Sequence, residues 1–142
     1  MTRTNTERGH LLRAHTADGI LEAWGPTREA CLEEAVLALI DSIVEVDLLT
    51  WWWHEEVELV GTDQEMLVSL LEEVIYRLDT DSAVPVLVAV HPHGDHLRAD
   101  LWMTDLHRVT PVGPAPKGIS YSGVELREQA PGRWACTATV DV

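Results

Sequence analysis

The chain predicts an α+β fold: a single domain in which two amphipathic helices pack on one face of a mixed β-sheet. Three observations predict it. Two stretches carry apolar residues at helical spacing, the remaining apolar runs alternate or are short and continuous, and the order is strand, helix, strand, helix, then four strands. At 142 residues the chain has one domain's worth of length, enough to bury roughly two-thirds of the surface its unfolded form exposes.

Residues 1–10 are polar and read as a flexible N-terminus, so the domain is expected to span 11–142. Leu11 to Ala14 and Gly19 to Trp24 read as extended. Gly25-Pro26 then breaks the strand, and Thr27 is placed to cap the first helix. In that helix Leu32, Ala35, Val36, Leu39, Ile40 and Ile43 form the apolar stripe, and Glu29, Glu33, Glu34 and Asp41 fall on the other face.

Glu56 to Val60 alternates and reads as a strand between the helices. The second helix opens with Thr62-Asp63-Gln64-Glu65, where the Thr62 hydroxyl and the Glu65 carboxylate can each satisfy an amide of the first turn. It buries Leu67, Leu70, Leu71, Val74 and Leu78 and stops at the polar Asp79-Thr80-Asp81-Ser82. Val84 to Val90 fits a buried strand with Pro85 near its start, and the alternating Leu97 to Met103 pairs with it across His93-Gly94-Asp95-His96. Thr104 to Gly118 is rich in proline and glycine and reads as a long surface loop. Ile119 to Arg127 and Arg133 to Val142 form a second hairpin across Ala130-Pro131-Gly132.

Composition narrows the function classes. Ten Lys+Arg against 24 Asp+Glu leave a net charge of −14, a field that repels nucleic-acid phosphates and suits a basic protein partner. Direct nucleic-acid binding is not expected. No run is long enough to span a bilayer and no apolar leader segment precedes the domain, so a cytoplasmic protein without a membrane partner is expected. Cys31 and Cys136 lie in a helical and a strand pattern without Cys-x-x-Cys spacing, which predicts buried free thiols.

On the last strand Trp134, Cys136, Ala138, Val140 and Val142 share one face, leaving Thr137, Thr139 and Asp141 on the other. Asp18 follows His15-Thr16-Ala17 where a turn feeds a strand. By spacing alone Asp141-Val142 reads as a solvated terminus and Asp18 as a turn acceptor. Brought together they would make an oxygen-rich site suited to calcium, magnesium or manganese more than zinc, a preference that a nearby His15 would soften.

Four further segments, Ala23-Trp24-Gly25-Pro26-Thr27, Leu70 to Tyr76, Lys117-Gly118-Ile119-Ser120-Tyr121 and Thr139-Val140-Asp141-Val142, join the His15-Thr16-Ala17-Asp18 tetrad in order and spacing. Together they resemble the archease family, over nearly the whole chain from about Leu11 to Val142. The resemblance implies a small acidic protein that activates an RtcB-type RNA ligase in tRNA splicing or RNA repair, promoting guanylylation of the ligase and multiple turnover, and that is not itself an enzyme. It also implies that Asp18, Asp141 and Val142, through a main-chain oxygen, hold a divalent cation, with calcium expected first. Lys117 corresponds to the family's lysine before the tyrosine strand and is a candidate contact to the ligase or to a nucleotide phosphate. Family members follow the aspartate with an apolar residue and then glycine, whereas here Gly19 precedes Ile20.

Two features belong to this chain rather than to the family. Trp51-Trp52-Trp53 cannot all point inward from regular structure, so at least one is expected at the surface as a candidate partner contact beside His15 and Lys117. His91, His93 and His96 with Asp95 carry metal-binding side chains, but about a hairpin turn and without a separate distal ligand they read as solvent-facing. The alternatives to ligase activation are a metal-dependent hydrolase, which lacks an evident positioned base, and a generic acidic chaperone using the tryptophans.

Overall fold

The computed structural model describes residues 7–15, 18–45 and 51–142, with backbone alone for 14 and 15. The α+β class with two helices holds. Strand β1 (Gly9–His15) pairs antiparallel with β2 (Asp18–Gly25). Strand structure therefore starts at Gly9, before the expected Leu11, and of residues 1–10, expected to be flexible, 1–6 lie outside the described residues. The cause is tertiary. Arg8 and His10 reach the first helix, where the Arg8 Nε donates to Glu34 at 2.6 Å and the two His10 ring nitrogens meet Glu34 at 2.7 Å and Asp41 at 2.8 Å.

Helix α1 (Arg28–Ile43) is capped as expected, the Thr27 hydroxyl accepting from the Ala30 amide at 3.0 Å. Gly25 is needed at the entry, because a Cβ there would lie 2.9 Å from that of Ala30. Glu34 departs from the wheel: it is buried on a face that its period assigns to solvent. A carboxylate leaves water only with compensating partners, and Arg8 and His10 supply them from 24 to 26 residues away in sequence.

Helix α1 leads directly into the short β3 (Val44–Glu45), and β4 (Trp53–Leu59) precedes α2 (Asp63–Asp81). The capping box of α2 is complete: the Glu65 amide donates to the Thr62 hydroxyl at 3.1 Å and the Thr62 amide to the Glu65 carboxylate at 2.8 Å. The helix ends on Ser82 in the left-handed region, φ 50°. Strands β5 (Ala83–His93) and β6 (His96–Asp105) form the first hairpin, with Gly94 at φ +67°.

The expected surface loop from Thr104 to Gly118 is only partly a loop. Strand β6 runs to Asp105, a 3₁₀ turn follows at Leu106–Arg108, and β7 (Thr110–Pro111) pairs with β3. The Val112 and Gly113 amides then donate to the Ile43 carbonyl, an acceptor the helix end leaves free. Two-residue strands have no period to read. Strands β8 (Gly118–Ala130) and β9 (Arg133–Asp141) close the chain, turning at Gly132 with φ +73°.

Among the described residues every ladder is antiparallel, and the strands form three sheets, β1-β2-β9-β8, β3-β7 and β4-β6-β5, where one mixed sheet is expected. The reason lies in where the return strands go. The crossover through α2 leaves β4 and β5 parallel to each other, but β6 inserts between them, and β9 likewise separates the parallel β2 and β8.

One core joins the larger sheets to both helices. Leu21 of β2, Leu39 of α1, Leu67 and Leu71 of α2, Leu97 of β6 and Leu126 of β8 all belong to it and are essentially inaccessible. Each such side chain contributes about 1.5–3 kcal/mol through burial. The two thiols meet here. Ala23 is the ladder partner of Cys136, and the Cys31 Sγ donates to the Ala23 carbonyl at 3.5 Å. Both are free and buried as expected, and the hydrogen bond with Cys31, reinforced by burial, pushes the Cys136 thiol far above its ordinary pKa, which leaves it unreactive.

The His10 contacts have a measurable pH signature. Burial is the largest single influence and pulls the imidazole pKa down, but hydrogen bonds and charges from Glu34 and Asp41 together outweigh it and raise the net value. With the folded pKa raised, this stabilisation is complete below the unfolded imidazole pKa of about 6.5 and is lost as pH rises through the folded value. The stability difference between the native chain and His10→Gln, measured by urea unfolding, is therefore expected to be largest at or below about pH 6 and to shrink as pH rises.

Candidate metal centre and partner surface

The register between β2 and β9 builds the site. Inward-facing Leu21 and Ala23 oppose Ala138 and Cys136, all buried in the core, so the alternate residues of both strands must face outward. Two residues beyond Ile20↔Thr139 on that outer face, Asp18 lies directly opposite Asp141. Two carboxylates so placed have Cβ atoms about 4.5–5.5 Å apart and repel each other. Among the described residues neither forms an ion pair with arginine, lysine or histidine.

The third strand adds Lys117. Gly118 of β8 pairs with Asp141, and the Lys117 amide donates to the Asp141 carbonyl at 2.7 Å, which ties the exposed Lys117 to Asp141 through the main chain. Three residues separated by most of the chain thus meet at one end of the four-stranded sheet, with Val142 following Asp141 at the surface. His15 pairs with Asp18 through the backbone; its side chain, and Thr16 and Ala17, lie outside the described residues. Gly19 faces inward, and a Cβ there would lie 2.6 Å from the Leu12 Cδ2 of β1, so a larger residue would require the Leu12 side chain to shift.

The donor set fits a hard cation. Two facing carboxylates without a basic partner are stabilised by positive charge placed between them, and oxygen donors favour calcium, magnesium or manganese. Within the described residues no cysteine or histidine side chain is ion-paired or hydrogen-bonded to either acid, so nothing there favours a softer ion.

The tryptophans lie elsewhere, at the start of β4 on the three-stranded sheet. At least one is expected at the surface; all three are exposed, Trp52 most at 60%. The Trp52 amide donates to the Met103 carbonyl at 2.7 Å, and the Arg108 guanidinium covers its ring 3.7 Å from the centroid. The Trp53 indole donates to Glu55 at 2.9 Å. They form a surface separate from the acid pair.

The histidine turn gains a partner that sequence spacing does not reveal. Glu58 of β4 accepts from or pairs with both His93 and His96, and a second group, His54, Glu56 and Asp100, occupies the same outward face of the β4-β6-β5 sheet. The hydrogen bond from His93 leads the influences that hold the Glu58 carboxyl below its ordinary range, and the bond to Asp95 leads those that raise His96. The available signal is the alternation His54-x-Glu56-x-Glu58, which places all three on one face of a strand.

Known proteins share this architecture. The family model described as the archease protein family matches residues 11–142. A Mycobacterium tuberculosis protein described as a probable archease is 32% identical over 142 residues, covering 99% of this chain and 78% of that protein. The archease of Pyrococcus furiosus is 38% identical over 137 residues, covering 90% of this chain and 94% of its own. Among solved structures, a Thermotoga maritima protein described as an archease and possible chaperone superposes with a TM-score of 0.66 at 19% identity, over 92% of this chain and 94% of that one. A Methanobacterium thermoautotrophicum protein solved in solution gives 0.72 at 18% identity, over 94% and 99%, and both show the same fold.

Facing carboxylates without a counter-charge cost stability in the absence of a cation. Asp18→Asn and Asp141→Asn are each expected to raise the unfolding free energy in chelator-containing buffer by about 0.2–1 kcal/mol. Calcium is expected to stabilise the native chain and to leave both variants nearly unchanged, as read by thermal unfolding with and without the ion.

Proposed function

The chain belongs to the archease family, and on that premise we propose that it activates an RtcB-type RNA ligase in tRNA splicing or RNA repair, acting by binding rather than by catalysis. The observation that carries this reading is the cross-strand pair Asp18 and Asp141 with Lys117 beside it, an acidic tip assembled by three strands at one end of the domain.

Asp18 and Asp141 would hold a divalent cation through carboxylate oxygens, with a main-chain oxygen of Val142 as a third donor, and calcium suits that set best. A cation bound there supplies local positive charge that offsets the repulsion between the acids. The tip then docks on the basic mouth of the ligase, where the net charge of −14 speeds encounter. The same charge keeps the protein off the RNA itself, which remains with the ligase.

Activation requires that the protein bind one ligase state more tightly than another. The state favoured is the one that accepts the guanylyl group, so guanylylation and repeated turnover rise together. Lys117, exposed and tied to Asp141 through its main-chain amide, would contact the ligase or a nucleotide phosphate.

The exposed Trp51, Trp52 and Trp53 favour a second reading, a chaperone that covers apolar surface on unrelated clients. That reading accords with the words possible chaperone attached to the Thermotoga protein.

A multiple-turnover ligation assay with a purified RtcB-type ligase separates the two. Asp18→Ala and Asp141→Ala are expected to remove stimulation of guanylylation and ligation while circular dichroism stays native. Full stimulation by both variants overturns ligase activation through this tip. Suppression of aggregation of unrelated clients, lost on replacing the tryptophans and indifferent to Asp18, supports the chaperone reading instead.

A further inference from the structure

The outer face of the β4-β6-β5 sheet collects His54, Glu56 and Glu58 from β4, His91 and His93 from β5, and His96, Arg98 and Asp100 from β6. From this face we infer a second cation site, built by Glu58, His93 and His96 and suited to zinc, distinct from the oxygen-lined tip.

The three ligand atoms already converge. The His93 Nδ1 lies 3.0 Å and the His96 Nε2 2.6 Å from the same Glu58 oxygen, and all three atoms fall within 4.8 Å of one another. Tetrahedral zinc with bonds of about 2.0–2.1 Å to such donors separates its ligand atoms by about 3.3 Å, a spacing that lies inside this range. Small side-chain torsions suffice to seat the ion.

The backbone holds the ligands in place. His93 and His96 are ladder partners across the two-residue turn Gly94-Asp95, whose first residue has the positive φ that such turns require. Their rings meet edge to face, 5.4 Å between centroids and 88° between planes. Glu58 comes from the neighbouring strand, held by the buried pair Leu59↔Leu97 next to it in the ladder. One ion would therefore tie the edge strand β4 to the hairpin.

An outer partner is also present. The Asp95 carboxylate lies 3.1 Å from the His96 Nδ1, which orients the ring and leaves Nε2 to face the metal. A carboxylate behind a ligating histidine is the arrangement by which proteins fix the tautomer and strengthen the donor.

The neighbouring group behaves differently. Asp100 and Glu56 are both within 3.7 Å of the Arg98 guanidinium, and His54 and His91 contact Asp100 at 2.9 and 3.4 Å. A cation there competes with a resident one. Among the described residues Glu58 pairs with no arginine or lysine, so its charge is compensated by imidazoles alone. Two imidazoles and one carboxylate select a borderline ion over calcium, and three protein ligands leave a fourth position to water.

Titration of the full chain with zinc chloride by calorimetry, and with cobalt(II) followed by its visible absorption, tests the site. One ion is expected to bind, His93→Gln/His96→Gln to lose at least about 100-fold in affinity, and Asp95→Asn to lose about 10–100-fold, with circular dichroism unchanged. His54→Gln/His91→Gln and Asp18→Asn/Asp141→Asn are expected to bind zinc as the native chain does. Absence of saturable binding, retention of it in the His93/His96 variant, or loss of it in either of the other two pairs overturns the proposal.

Discussion

The register that lays Asp18 against Asp141 is the constraint on which the rest of the molecule depends. Strand β2 and the last strand, β9, meet in one ladder, and buried Leu21, Ala23, Cys136 and Ala138 make a slip of one residue costly, because it would turn those side chains to water and the aspartates into the core. Helix α1 packs on that inner face and Lys117 enters beside the same ladder, so core, helix docking and acidic tip follow from one pairing.

Charge is handled differently in three places. At the tip two half-buried like charges face each other across the ladder without an ion-pair partner among the described residues. In α1 the buried Glu34 is compensated by Arg8 and His10. On the three-stranded sheet carboxylates are shared among histidines and Arg98. A chain with 24 acids and ten basic residues cannot pair them all, and among the described residues Asp18, Glu45, Asp105 and Asp141, each at the end of a strand, form no ion pair. Unpaired sites of that kind are where an ion or a basic partner gains most on binding.

Local chemistry was legible where it is local. The Thr27 cap, the Thr62 and Glu65 box, the leucines of α2 and the alternation of β6 and β9 could all be read from spacing, because each depends on neighbours within a few residues. Sheet composition was not. Insertion of β6 between β4 and β5, and of β9 between β2 and β8, replaces parallel neighbours with antiparallel ones, and no period in the strands encodes it. The burial of Glu34 was illegible for the same reason: its partners lie before β2, and a helical wheel knows only its own turns. The histidine turn looked incomplete since its third partner, Glu58, sits 35 residues earlier than His93.

The two helices and the longer strands, most of their inward faces, the acidity and, through matching motifs, the family are written in the residues, since periodicity, caps and composition act at short range or on the chain as a whole. Only the tertiary structure decided which distant residues become neighbours. Asp18 meets Asp141, Lys117 joins them, and Glu58 completes a pair of histidines because strand order and register are set by burial of a shared core, a property of the whole chain that no single segment carries.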